Sequence, residues 1–291
     1  MRKNIKNFIL GALTFLFFLN ILAWSAVFNL SQSKFLEVNF FYIGQGDSIF
    51  IETPNKEQIL IDGGPDSTIL EKLGKEMPFW DRSIDLVILT HPEHDHMAGL
   101  IEVLKRYKVD NILWTGVVRD TAEYREWLEV IENEGAEIKI ARAGQRITLL
   151  NSNIDIFYPF ESLEGQESKN SNNTSIVARL VFGENSFLFT GDAIKSVERK
   201  LIKAEINIDS DILKAGHHGS KTSSAKEFIE AVSPEIVVIS VGKDNKFDHP
   251  HQETLDNVSG IKVLRTDLMG DIKIISDGIQ LNYLQIFRQV L

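Results

Sequence analysis

A chain of 291 residues with 43% apolar side chains can bury a large core, and its net charge of -10 argues against a general nucleic-acid coat, which needs a basic surface. With no cysteine, neither a disulfide framework nor a thiolate metal cluster can form. Any metal must be held by histidine, carboxylate or amide groups.

The first 30 residues stand apart. Arg2, Lys3 and Lys6 precede an uncharged apolar run from Phe8 to Leu30, long enough to cross a hydrocarbon core of roughly 30 Å. The run reads as a membrane anchor, residues 1–30. The alternative is a cleaved leader, because Ala23 and Ser25 place small residues where a signal peptidase cuts. The positive charges before the span put the N-terminus in the cytoplasm and the rest of the chain outside the cell membrane, or secreted if the leader is cut.

A polar linker, 31–34, leads into the body, 35–291. FLEVNFFYI reads as a strand, GQGDS as a turn, and SIFIETPNKEQILIDGG as a hairpin ending on Asp62. The stretch Thr68 to Glu76 has helical amphipathicity, and DLVILT is a buried strand that delivers the chain to His91. Helix is expected from Met97 to Tyr107 and from Thr121 to Asn133, with strand at VDNILW between them and mostly strand from Ile138 to Tyr158. After a polar loop, SIVARLVFGENSFLFTGD is again a hairpin that ends on an aspartate, here Asp192. A helix and the strand DILKAG then lead to His217, so hairpin, Asp, helix, strand and His recur in the same order. The remaining segments continue the α/β alternation, and GDIKIISDGIQLNYL closes it as a hairpin.

THPEHDHMAGL packs His91, Glu93, His94, Asp95 and His96 directly behind a buried strand. All seven histidines of the chain fall here, at His217 and His218, or at His249 and His251. Each patch follows an expected strand, and in α/β folds loops beyond the carboxyl ends of strands build sites. One or two divalent ions are therefore expected, with Asp192 placed to bridge a pair. Such a pair generates a nucleophilic hydroxide.

The series THPEHDH, TGD, GHHGS resembles the metallo-β-lactamase superfamily over residues 35 to 285. GQGDS, ILIDGG, NNTSIV, LKAGHHGSKTSS, NKFDHPH and RTDLMGDI are similar, more narrowly, to the soluble domain of the DNA-uptake channel protein ComEC and its free-standing relatives. The resemblance implies a four-layer αββα sandwich of two similar halves behind the N-terminal transmembrane helix, and a two-metal hydrolase. It places His91, Glu93, Asp95, His96 and Asp192 at ligand positions, with His217, or alternatively His218, as the late ligand. Asn173, or its neighbour Asn172, stands where the superfamily has a third histidine motif. With Glu93 in place of a second histidine, the donor set hardens toward manganese or magnesium, although zinc also fits. Asp62 is expected to orient a ligand, with a purely structural turn role as the alternative, and Asp47 is open between the same two roles.

Asp95, Asp192 and His249 are the expected catalytic groups, His249 contacting a phosphate oxygen or protonating the leaving group. The resemblance implies phosphodiester hydrolysis, most plainly of DNA. A lactone, lactam or cell-wall phosphoester as substrate, and a non-catalytic metal-binding domain, are the alternatives. Only one apolar segment is present in this sequence, so transport is expected to need a separate channel partner.

Overall fold

The computed structural model describes residues 2–31 and 33–286; Met1, the linker residue Gln32 and residues 287–291 lie outside them. The chain divides into two compact units, Met1–Lys34 and Phe35–Leu291. The first is the helix α1 (Arg2–Ser31), whose window Ile5–Ser25 has a mean hydropathy of 2.0 with none of it buried. By length and composition it is a candidate membrane span.

The second unit is two sheets between helices. Its first half runs β1 (Leu36–Phe40), β2 (Ile49–Glu52), β3 (Gln58–Ile61), α2 (Thr68–Glu76), β4 (Ser83–Leu89), α3 (His94–Leu104), β5 (Lys108–Trp114), α4 (Ala122–Glu134) and β6 (Glu137–Ile140). The second continues with β7 (Arg146–Thr148), β8 (Ser152–Tyr158), β9 (Val177–Phe182), β10 (Asn185–Phe189), α5 (Lys195–Lys203), β11 (Ile212–Lys214), α6 (Lys226–Val232), β12 (Ile236–Ile239), α7 (Gln252–Asn257) and β13 (Lys262–Arg265). A short α8 (Thr266–Met269) and the hairpin β14 (Asp271–Ser276) and β15 (Leu281–Ile286) return the chain to the first sheet. That sheet has the order β15-β14-β1-β2-β3-β4-β5-β6, the other β13-β12-β11-β10-β9-β8-β7.

Side chains explain the layering. β8 alternates buried and half-buried positions, the period-two pattern of a strand with one face inward. β4 is buried at every position from Leu86 to Leu89, because α3 covers its outer face as the second sheet covers its inner one. Phe40 of β1 and Phe189 of β10 meet between the sheets with ring centroids 6.3 Å apart. This inner layer, with Val38, Ile51, Ile154, Leu180 and Phe187, is the central core. Leu73, Leu100 and Trp127 pin α2, α3 and α4 to the first sheet, and Val197, Leu201 and Phe228 pin α5 and α6 to the second. Burying each such side chain contributes about 1.5–3 kcal/mol. The four-layer αββα sandwich expected from sequence is the observed fold.

The hairpin repeat is also real in the topology. β2 and β3 are antiparallel and β3 is parallel to β4; β9 and β10 are antiparallel and β10 is parallel to β11. Asp62 and His91 follow β3 and β4, and Asp192 and His217 follow β10 and β11, so one end of the sandwich collects all four.

Candidate metal centre

α3 begins three residues earlier than its apolar periodicity suggests, at His94, so Asp95 and His96 sit on its first turn. Close backbone approach makes this placement feasible. A Cβ on Gly99 would lie 1.9 Å from the Gly63 carbonyl oxygen, and one on Gly46 would lie 2.3 Å from that of Asp95. Two glycine-bearing loops therefore press against α3 where a larger residue would clash.

Three imidazoles are held by the same device. The Thr90 hydroxyl donates to Asp62 Oδ2 at 2.7 Å, so His91 Nδ1, 3.1 Å from the Thr90 oxygen, is the donor of that pair. His96 Nδ1 lies 2.8 Å from Asp62 Oδ2, and His218 Nδ1 lies 3.0 Å from the Ser240 carbonyl oxygen. Each ring is thereby oriented through Nδ1 and turns Nε2 inward. The Nε2 atoms of His91, His96 and His218, with Asp192 Oδ1 and Asp47 Oδ1, are buried polar atoms without a hydrogen-bond partner. Orphans of this kind are rare in a folded interior.

These atoms converge. His91, His96 and Asp192 offer ligand atoms within 4.8 Å of one another, as do Asp95, His96 and His218, and Asp47, Asp192 and His218. Asp192 Oδ1 is 3.4 Å from His96 Nε2, and its Oδ2 is 3.4 Å from His218 Nε2. Asp95 Oδ2 is 3.3 Å from His218 Nε2. Nitrogen and carboxylate donors meeting around unpartnered atoms fit a divalent cation, and the shared Asp192 fits two neighbouring positions.

The electrostatics follow the packing. Burial, with the charge of His96 adding to it, pushes His91 down to about 3, so it is a neutral imidazole. Burial is the largest single influence on His96 and His218 too and opposes their charge, but Asp192 together with Asp62 at His96, and with Asp47 at His218, outweighs it and holds both well above the usual histidine range. Asp192 is held well below the carboxylate range against its own burial by His218 and His96. At Asp62 burial prevails and raises the carboxyl.

Other expected site residues lie at the periphery. Glu93 faces the Arg119 guanidinium at 3.1 Å and accepts from the Ser171 hydroxyl, outside the groups that could hold an ion. His217 takes contacts from Asn172 Nδ2 at 3.1 Å and Thr222 Oγ1 at 3.0 Å, with Nε2 3.8 Å from Asp192. Asn173 accepts from the Ser196 hydroxyl through Oδ1, while Asn172 lines the site cavity. That cavity, about 160 Å³, is bordered by Gln45, Asp95, His217, Phe247 and His249 among others. Burial and the neighbouring His218 and His217 push His249 down to about 4. His94 is exposed, 3.7 Å from Glu123.

Two further cations bear on the site. Lys214 is fully buried, its ammonium donating to the Gly191 carbonyl at 3.0 Å and paired with Asp47. Arg119 holds Glu93. Arg119 lies outside every motif of the sequence, whereas Lys214 is a lysine inside the strand DILKAG, three residues before His217, and supplies positive potential beside the late histidines.

The family model described as Metallo-beta-lactamase superfamily matches residues 42–243. The chain belongs to the metallo-β-lactamase superfamily. Among curated proteins it is 34% identical over 257 residues to ComE operon protein 3 of Bacillus subtilis, covering 81% of this chain and 32% of that protein. It is 32% identical to Competence protein ComA of Neisseria gonorrhoeae (79% and 31% covered) and 26% identical to Recombination protein 2 of Haemophilus influenzae (82% and 28%). The chain thus spans about a third of the length of these relatives. Among solved structures, the metallo-beta-lactamase fold protein YhfI of Bacillus subtilis matches with a TM-score of 0.54 at 14% identity, covering 79% of this chain and 96% of that one. The diiron β-hydroxylase CmlA of Streptomyces venezuelae matches at 0.51 and 16%, covering 86% and 54%. At these identities the structures share the superfamily fold.

Proposed function

We propose that this chain is a metal-dependent phosphodiesterase that cleaves DNA, with its body held outside the cell membrane by α1. The observation that carries the hydrolase reading is the convergence of three Nδ1-anchored imidazoles on Asp192 at the floor of an open cavity. His91, His96, His218, Asp95 and Asp192 are the residues that would hold the metal. When bound, divalent ions supply Lewis acidity and a nucleophile at neutral pH.

The chain's own groups serve the substrate. His249 and Asn172 border the cavity, and a neutral His249 is suited to donate a ring N–H to a phosphate oxygen. Arg119, beside Glu93, adds a guanidinium close by. Phe247 shows 48% of its surface at the cavity rim, with the Lys246 ammonium 5.1 Å from its ring centre. An exposed ring beside a cation suits a base and its phosphate, since every nucleobase has a face to stack. Support for DNA in particular comes from relatives named for competence and recombination.

Purified, manganese-loaded protein is expected to cleave single- or double-stranded DNA and to leave lactones and lactams intact. Cleavage of a lactone or lactam with no action on DNA would replace the nuclease by another metallohydrolase. The Phe247→Ala variant is expected to raise KM for DNA several-fold with little change in kcat, because stacking at the rim contributes to binding and not to the reacting centre.

A further inference from the structure

The large apolar side chains that the body leaves exposed are unevenly placed. β1 is parallel to β3 and β4 through the antiparallel β2, so the first sheet has a site end, where β3 and β4 finish, and an opposite end, where β1 and β4 start. Phe35 immediately precedes β1. Phe79 and Trp80 precede β4, 79% and 73% exposed and packed edge to face at 4.8 Å. Ile279, 70% exposed, occupies the β14–β15 turn, whose flanking Ser276 pairs with Leu36. Leu150, 73% exposed, tips the β7–β8 turn, and its N–H meets the Glu57 carboxylate of the β2–β3 turn. Five large apolar residues from four separate loops thus share the end away from the metal centre.

Single exposed apolar residues are ordinary on a protein surface, but a cluster from unrelated loops marks a surface that meets something apolar. Chain connectivity names the occupant. Phe35 follows the end of the apolar window at Ser25 by about ten residues, at most roughly 35 Å of fully extended chain. An α1 that spans a bilayer therefore keeps this end of the sheet within reach of the lipid surface. Tryptophan favours the headgroup boundary because its ring joins an apolar face to a polar N–H, and phenylalanine and leucine bury beside it on the apolar side of that boundary. Lys56 and Arg82 alternate here with Glu57 and Asp81, so the attraction is apolar and not ionic.

We propose that Phe35, Phe79, Trp80, Leu150 and Ile279 form a membrane-docking face that seats the body on the lipid headgroups, a proposal that rests on the reading of α1 as an anchor. Docked this way, the metal centre stands one strand length from the bilayer. The seven residues of β4 make that roughly 23 Å. The cavity then opens toward the aqueous side, toward a soluble or polymeric substrate and away from lipid headgroups.

The absence of native cysteine allows single-site labelling of the full chain. Ile279→Cys and Leu150→Cys variants, and Leu268→Cys in α8 at the site end as a control, would each carry an environment-sensitive fluorophore in phosphatidylcholine vesicles containing doxyl-labelled lipid. Labels at 279 and 150 are expected to be quenched several-fold more than the label at 268. Replacing both Phe79 and Trp80 by Ser is expected to lower quenching at 279. Equal quenching at all three sites, in a chain that floats with the vesicles after alkaline carbonate washing, would overturn the docking face and leave the anchor standing. A chain that does not float at all would overturn the anchor and the docking face with it, while DNA cleavage in solution would stand independently.

Discussion

Asp62 and Asp192 occupy the same place in two similar units, each directly after a hairpin whose second strand is parallel to the next, yet they do different work. Asp62 spends its oxygens on Thr90 N at 2.8 Å, the Thr90 hydroxyl and His96 Nδ1, and burial raises its carboxyl. Asp192 keeps Oδ1 free of hydrogen bonds and is held ionised by two imidazoles. The partner histidines differ as well. His91 presents a bare Nε2, whereas His217 is occupied by Asn172 and Thr222, and the equivalent inward role falls to the next residue, His218. One half uses its aspartate to orient an imidazole and the other leaves an aspartate oxygen free, which is how two equivalent aspartates build one asymmetric site.

That division of labour predicts unequal losses from equal substitutions. Asp192→Asn should abolish hydrolysis and remain inactive at any metal concentration, because it removes the shared carboxylate. Asp62→Asn should instead weaken metal affinity by roughly 10–100-fold, as loss of a partner behind a ligand imidazole does, with kcat recovering as metal saturates. Hydrolysis measured against metal concentration separates the two, and an Asp62→Asn variant that saturating metal does not rescue would show that Asp62 acts on the reaction itself.

Lys214 extends the contrast to stability. It sits in the second half only, its ammonium paired with Asp47 at full burial. Removing one partner of a buried pair leaves an unpaired charge and typically costs about 3–5 kcal/mol. Lys214→Met should lower the metal-free protein's stability by about that much in urea melts, with metal restoring part of it by neutralising Asp47. A loss below about 1 kcal/mol would mean that Asp47 reaches water or a proton instead.

The site was legible in the sequence to the extent that it is local. His91, Asp95, His96 and Asp192 are expected together because a buried strand or hairpin ends where each cluster begins, and their side chains do converge; the helices are legible from apolar periodicity and the repeat from the order of its elements. Glu93 shows what such reading leaves out: it lines the cavity, as its spacing suggests, but its partner Arg119 lies 26 positions later. Asp47 and Lys214 meet across the two sheets, a pairing that no local pattern records. The choice between His217 and His218 depends on backbone conformation. Both residues lie in the left-handed region, φ 50° and 53°, which costs roughly 1–3 kcal/mol each and turns their rings to different neighbours. His218→Ala should therefore bind metal more weakly, whereas His217→Ala should retain its affinity with a smaller fall in activity; metal content at limiting metal, by elemental analysis, decides between them.

The finest test of the asymmetry counts protons. His91 is already neutral at pH 7, because burial holds it near 3, so it can accept an ion without releasing anything. His96 and His218 are held well above their ordinary value by Asp192 and carry a proton at that pH. A ligand nitrogen must be deprotonated, so metal entry should expel roughly two protons, one from each half of the molecule. Affinity then rises with pH up to the raised values of these two histidines and levels off above them. For the metal-free fold the sign is opposite: a raised histidine stabilises most below its unfolded value near 6.5, and that contribution fades as pH climbs through the folded value. Calorimetric titration of metal in buffers of different ionisation enthalpy measures the proton count directly. His218→Gln should reduce it to about one, and His91→Gln should leave it unchanged.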